Sequence, residues 1–165
     1  MNTAKYLSYA EAWRRIKDAT SQGFYFEVVT LCESIISDRL LSYVRGADST
    51  NKATVLTPFS TLIAQWRKLA SGKLPVHGNS DLGAAVDAWR LERNAIIHGL
   101  TKSEPGTPTA QVQPFIARAE QAAKTGAALA RAVSSWHRRQ LRAHRAVKKR
   151  LTLRSSGTAQ KRAAP

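Results

Sequence analysis

An all-α fold, a bundle of four or five helices with a basic C-terminal helix, is what this sequence predicts, and three observations predict it. Apolar residues recur at three- and four-residue spacing through most of the chain. Strand-like alternation is missing, and neither Asn-Gly nor Asp-Gly marks a hairpin. Glycines and prolines (Gly23, Gly46, Pro58, Gly72, Gly99) stand where the periodic segments change. The 165 residues suffice for one domain with a core and fall short of two. No internal repeat is visible. Residues 1–135 are expected to form the bundle, and residues 136–165 a basic helical extension ending in a disordered tail.

The elements follow in order. Ser8-Tyr9-Ala10-Glu11 reads as a capping box, with the Ser8 hydroxyl and the Glu11 carboxylate each taking a free backbone N–H. The first helix then runs to about Thr20, before Gly23. GFYFEVVTLCESIISDRLLSYVRG is apolar around most of its circumference, which predicts a central buried helix stopped by Gly46. Residues 47–56 are polar and read as a loop. Thr57 and Pro58 supply an N-cap and a first helical residue for PFSTLIAQWRKLA, which ends near Gly72. SGKLPVHGNS is a loop, with Ser80 or Asn79 capping a fourth helix, DLGAAVDAWRLERNAIIH, that stops at Gly99. SEPGTPT is a flexible connector. The last helix runs from about Ala110 toward Arg150, marked by Val112, Phe115, Ile116, Ala119, Leu129, Val133 and Trp136. Residues 152–165, rich in Ser, Ala and Lys/Arg, are expected to be disordered.

Composition limits the function classes. At 43% hydrophobic residues the chain is not disordered throughout. The single cysteine, Cys32, excludes an intramolecular disulfide and reads as a small core residue. No Cys/His group has zinc spacing, and no metal or cofactor is expected. No apolar run approaches the ~20 residues of a membrane span, and no signal-peptide pattern opens the sequence. A soluble, cytoplasmic protein is therefore expected.

The net charge is +15 and unevenly placed. Residues 131–165 hold eleven Lys and Arg and no acid, which leaves +4 for residues 1–130. Such an extension attracts polyanions. Arg138, Arg139, Arg142, Arg145, Lys148, Lys149 and Arg150 are the expected RNA-phosphate contacts, conferring affinity and salt dependence with little sequence preference. Trp136 and His137 among them offer a base-stacking surface, although Trp136 also fits the apolar stripe. His77, between Pro75 and Gly78 in a loop, is expected to be simply exposed.

The fourth helix carries the sharpest signal. Leu82, Ala85, Val86, Trp89, Ile96, Ile97 and Leu100 form its apolar stripe. Arg93, four residues after Trp89 and four before Ile97, lies along the stripe's buried edge. It therefore needs a carboxylate, a subunit interface or an anionic ligand. Glu33, Asp38 and Glu92 are the candidate carboxylates, Glu33 and Asp38 as supporting residues on the second helix. Asn94 and His98 are four apart and can hydrogen-bond. His98 lies in the last turn, where the helix dipole favours the imidazolium. Arginine, amide and imidazole together can cleave a phosphodiester without a metal. Arg93 and His98 are five residues apart, about 140° around the helix, so one helix does not easily aim both at one phosphate. Two copies paired two-fold can.

Arg93-Asn94-Ala95-Ile96-Ile97-His98 resembles the signature of the HEPN superfamily, an arginine followed after four to six residues by a histidine, often with an asparagine directly after the arginine. The resemblance covers roughly residues 8–135. It implies a small helical bundle, a homodimer with its cleft at the interface, and metal-independent ribonuclease activity of the toxin–antitoxin or phage-defence type. It implies phosphate and transition-state stabilisation by Arg93, acid/base work by His98 and positioning by Asn94. Arg139 with His144, and Arg131 with His137, show similar spacing. They lack the asparagine and the amphipathic helix ending at glycine. Where antitoxin-modified members commonly carry a tyrosine two places after the histidine, this chain has Leu100, which argues against control by that modification. The competing reading is a non-catalytic nucleic-acid-binding or adaptor protein working through its basic extension. An acidic antitoxin or another defence-complex subunit is a further possible partner.

Overall fold

The structure is a computed structural model that describes residues 3–78, 80–99 and 112–162, the last sixteen (147–162) by backbone alone. Five helices are described: α1 (Thr3–Ser21), α2 (Tyr25–Ala47), α3 (Phe59–Leu69), α4 (Leu82–Gly99) and α5 (Val112–Arg162). A short antiparallel ribbon, β1 (Val76–His77) and β2 (Ser80–Asp81), precedes α4, with Val76 opposite Asp81 and His77 opposite Ser80. The chain forms two units, residues 1–134 and residues 135–165. The all-α bundle lies in the first; the second is the basic remainder of α5. No described helix is long and apolar enough to cross a membrane.

α2 is the centre of the bundle. Val28, Val29, Cys32, Ile35, Ile36, Leu40, Leu41 and Val44 are buried on it, and it packs against α1, α3 and α4. Burial pushes the Cys32 thiol up to about 12, and the nearby Arg131 only partly opposes this, so Cys32 is an inert core residue. α3 contributes Leu62, Ile63 and Trp66, and α4 contributes Leu82, Val86, Trp89 and Ile96. Gly23, with φ +76°, turns the chain from α1 into α2 in a conformation other residues resist.

The inner face of α5 is built mainly from small residues. Ala119, Ala122, Ala123, Ala127 and Ala130 are buried beside Leu129 and Val133. Small side chains let the α5 backbone approach closely, and Trp89 of α4 fills the space this leaves. A Cβ at Gly126 would stand 2.5 Å from Trp89 Cζ2, so the indole lies directly on the glycine. Trp89 Nε1 also donates to the Ala122 carbonyl at 2.8 Å. Arg118 clamps Glu92 through Nε and Nη2, at 2.5 and 2.8 Å. Phe115 stacks on Phe26 with centroids 6.1 Å apart.

α1 buries only Ile16 and Ala19 and is held by polar and cation–π contacts. Asp38 accepts from Lys5 Nζ at 2.7 Å and from the Tyr9 hydroxyl at 2.5 Å. Arg39 lies over the Tyr9 ring at 3.9 Å, and Arg131 over Trp13 at 5.2 Å.

Several helix ends differ from the sequence reading. Ser8 is inside α1, where its hydroxyl donates to the Ala4 carbonyl; Glu11 pairs with Arg14 and Arg15. The capping box is thus an interior turn, because the same Ser-x-x-Glu spacing also fits a helix face. α2 passes through Gly46 and is capped by the Asp48 N–H on the Val44 carbonyl. Pro58 is the residue before α3, and Thr57 instead accepts the Thr54 N–H. Asp81, not Ser80, caps α4 by accepting the Ala84 N–H at 2.8 Å; Asn79 lies outside the described residues. The ribbon, expected as plain loop, turns at Gly78 with φ +62°. α5 continues beyond the stop expected near Arg150, with no proline before Arg162 to end it. The connector over residues 103–109 and the end of the tail lie outside the described residues.

Gly126→Ala should destabilise the protein by about 1–3 kcal/mol through overpacking against Trp89, read as a lower urea midpoint at unchanged m-value. Hydrogen bonds from Arg14 and then Arg15 hold the Glu11 carboxyl down to about 2, below its ordinary 4.5. A depressed carboxylate contributes stability above its unfolded value and loses it as pH falls through the folded one. Glu11→Gln should therefore flatten the part of the stability loss that falls between about pH 4.5 and 2 in urea titrations.

Candidate functional site

α4 sorts its residues by angle. Leu82, Val86, Trp89 and Ile96 point into the core. Arg93 lies on the edge facing α2, with only 20% of its side chain exposed. Its Nη2 pairs with the Glu33 carboxylate, and its Nη1 donates to Asn94 Oδ1 at 2.9 Å. Arg93 Nε is buried and makes no hydrogen bond among the described residues. Glu33 is itself 19% exposed. Burial raises its pKa above the ordinary value, and the charge and hydrogen bond of Arg93 oppose that rise.

Of the candidate carboxylates, then, Glu33 holds Arg93. Asp38 does not: it stands five residues along α2 from Glu33, about 140° around the helix, and belongs to Lys5 and Tyr9 on α1. Burial raises the Asp38 pKa, but the hydrogen bonds from Lys5 and Tyr9 outweigh it and leave the carboxyl below its usual value. Glu92 is taken by Arg118.

His98 is exposed in the last described turn of α4. The hydrogen bond expected between Asn94 and His98 is not made; the Asn94 carbonyl oxygen turns to Arg93, one residue away. Leu100 lies outside the described residues.

An open depression of about 190 Å³ adjoins this edge, lined by Glu33, Phe59, Ser60, Arg90, Arg93 and Asn94. Three of these were not legible as site residues in the sequence. Phe59 and Ser60 come from the first turn of α3, some thirty residues away in the chain, and only packing brings them here. Arg90 had a signal: it is one turn before Arg93 and Asn94. No group of three or more His, Cys, Asp or Glu that could hold a metal occurs among the described residues.

Comparison with family models, curated proteins and solved structures returned no match. The chemistry must therefore be argued from the side chains themselves. In the second unit Arg138, Arg139, Arg142 and Arg145 are all exposed, and Arg138 Nη2 donates to Ser135 at 3.1 Å. Arg138, Arg142 and Arg145 recur at four and three residues along one face, about 10 Å of helix axis. The side chains of Lys148, Lys149 and Arg150 lie outside the described ones. Trp136 and His137 are buried, with 1% and 2% exposure, which removes them as a base-stacking surface. His77 is partly buried on the ribbon rather than fully exposed.

Removing one partner of the Arg93–Glu33 pair strands a mostly buried charge. Glu33→Ala should cost about 1–3 kcal/mol, and the double variant Glu33→Leu/Arg93→Met should recover most of it. Chemical denaturation of both variants measures the difference.

Proposed function

We propose that the chain is a metal-independent endoribonuclease of the toxin or defence type, working as a homodimer through Arg93, Asn94 and His98. The observation that carries this reading is the division of α4 into two faces. One edge presents Arg90, Arg93 and Asn94 to an open cleft. Another presents an uncharged line, Ala84, Ala88, Leu91 and Ala95, that leads to the exposed His98. Leu91 is 59% exposed on this line. Apolar side chains left in water on a helix next to a histidine fit a self-complementary contact. Pairing two α4 helices there would set His98 of both copies at the interface, with Asn94 about 90° and Arg93 about 170° around the helix from the paired line.

In such a site the ribose 2′-oxygen attacks the adjacent phosphorus as its proton leaves. The bond to the 5′-oxygen breaks, and that oxygen takes up a proton. His98 serves the proton transfers. Arg93 stabilises the charge on the non-bridging oxygens, exchanging Glu33 for phosphate, and Asn94 keeps its guanidinium in place. The products are a 2′,3′-cyclic phosphate and a 5′-hydroxyl. The basic extension adds phosphate contacts through Arg138, Arg139, Arg142 and Arg145, and is also the surface on which an acidic antitoxin would dock. Such an enzyme acts on cytoplasmic RNA.

A second reading has its own support. The Arg93–Glu33 ion pair already neutralises the arginine's charge, as a structural pair in a binding protein would. In that case the basic extension alone carries the function.

Wild type and His98→Ala, incubated with total RNA and a defined tRNA in EDTA, separate the two readings. His98 is exposed, so its replacement leaves the fold intact. The ribonuclease reading expects cleavage with 2′,3′-cyclic ends, lowered about 100-fold or more by His98→Ala. Absence of cleavage by both, with tight and salt-sensitive binding, selects the binding protein. In either case Arg138→Ala/Arg142→Ala/Arg145→Ala should reduce the log–log salt slope of RNA binding by about 2.

A further inference from the structure

The two arginines of the cleft are held in opposite ways. Arg93 is gripped at its terminal nitrogens, Nη2 by Glu33 and Nη1 by Asn94. These are the atoms with which a guanidinium forks onto a phosphate. Arg90 is gripped at its other end. Its Nε donates to Asp87 Oδ1 at 2.8 Å, and its two terminal nitrogens make no hydrogen bond to a described residue. Asp87 is one turn back on the same helix, and its second oxygen lies 4.0 Å from Arg67 Nη1. A carboxylate on Nε fixes the guanidinium plane and leaves the fork open. With 20% of its side chain exposed, Arg90 is also largely ordered before any ligand arrives.

Position points the same way. Arg90, Asn94 and His98 follow one another at four-residue intervals, so they lie along one gently winding ridge of α4. Arg90 and His98 are about 80° apart around the helix and about 12 Å apart along it, whereas Arg93 is about 140° from His98. Ser60 and Phe59 of α3 also line the cleft, bringing a hydroxyl-bearing and an aromatic residue to it. At about 190 Å³ the cleft suits a phosphate with part of its nucleotide and is small for a larger ligand.

We propose that Arg90 is the primary phosphate-binding residue of this cleft, and that the cleft takes one nucleotide phosphate of an RNA strand laid along the Arg90–Asn94–His98 ridge. The phosphate contact stands on the geometry of Arg90; the course of the strand toward His98 rests on the ribonuclease reading. Arg93, engaged by Glu33, is reached second, when a phosphate already held by Arg90 competes for it.

Uridine 3′-monophosphate, titrated calorimetrically into the full chain at low salt, tests the contact apart from catalysis. A mononucleotide is too small to need the basic extension. Arg90→Ala should weaken binding about ten-fold or more, since a fork of charge-assisted hydrogen bonds is lost. Arg90→Lys should restore part of it, because the charge remains without the fork. Lys17→Ala, which removes an exposed charge on α1, should leave it unchanged. Binding by Arg90→Ala equal to wild type, or no binding by wild type, overturns the proposal. Cleavage of RNA in EDTA decides the ribonuclease reading separately. A wild type that binds the mononucleotide through Arg90 and cuts nothing retains the phosphate site and discards the enzyme. A wild type that cuts while Arg90→Ala binds normally retains the enzyme and moves its phosphate contact to Arg93.

Discussion

Trp89 lying on Gly126 is the contact on which the rest of the bundle depends. The indole occupies the volume that any side chain at residue 126 would need, and its N–H is tied to the Ala122 carbonyl. One residue therefore sets both the separation of α4 from α5 and the rotation of α4 about its axis. Phe59 meets the same indole edge-on at 6.5 Å, which seats the first turn of α3 beside it. Once α4 is rotated so that Trp89 points inward, Arg93 one turn later faces α2, while Arg90 and Asn94 face the cleft. The site is thus a consequence of how a core tryptophan is packed.

Within that frame, electrostatics assigns different tasks to arginines three residues apart. Glu33 lies on the most apolar of the described helices, and burial favours its neutral form, an effect that Arg93 beside it opposes only in part. The pair is two partly desolvated charges that each make the other tolerable. Arg90, with its carboxylate on its own helix and nearer water, retains an open fork. Identical side chains on neighbouring turns thus differ in what they can offer an anion, and the difference lies in which nitrogen the protein occupies.

The basic extension works by another rule. Its described arginines are exposed, and the acids of the chain all lie before residue 121. With no acidic residue in the extension itself, a row of guanidiniums there attracts phosphate backbones at long range and steers encounter. Contacts of that kind carry little sequence information.

What the sequence determined by itself is the helical architecture, the central place of α2, the basic extension and the marked position of Arg93. These follow from periodicity, composition and the cost of an unpaired arginine on an apolar edge, all of which are local in the chain. Helix ends were less legible: Ser-x-x-Glu at residues 8–11 serves equally as a cap or a helix face, and Gly-Asn at residues 78–79 announces a ribbon only weakly. The tertiary structure alone decided that Glu33 rather than Asp38 meets Arg93, that Asn94 turns to Arg93 instead of His98, and that Phe59 and Ser60 wall the cleft. The physical reason is common to all three. Each depends on the rotation of one helix against another, and that rotation is set by how large and small side chains interlock, here Trp89 with Gly126, between residues far apart in the chain.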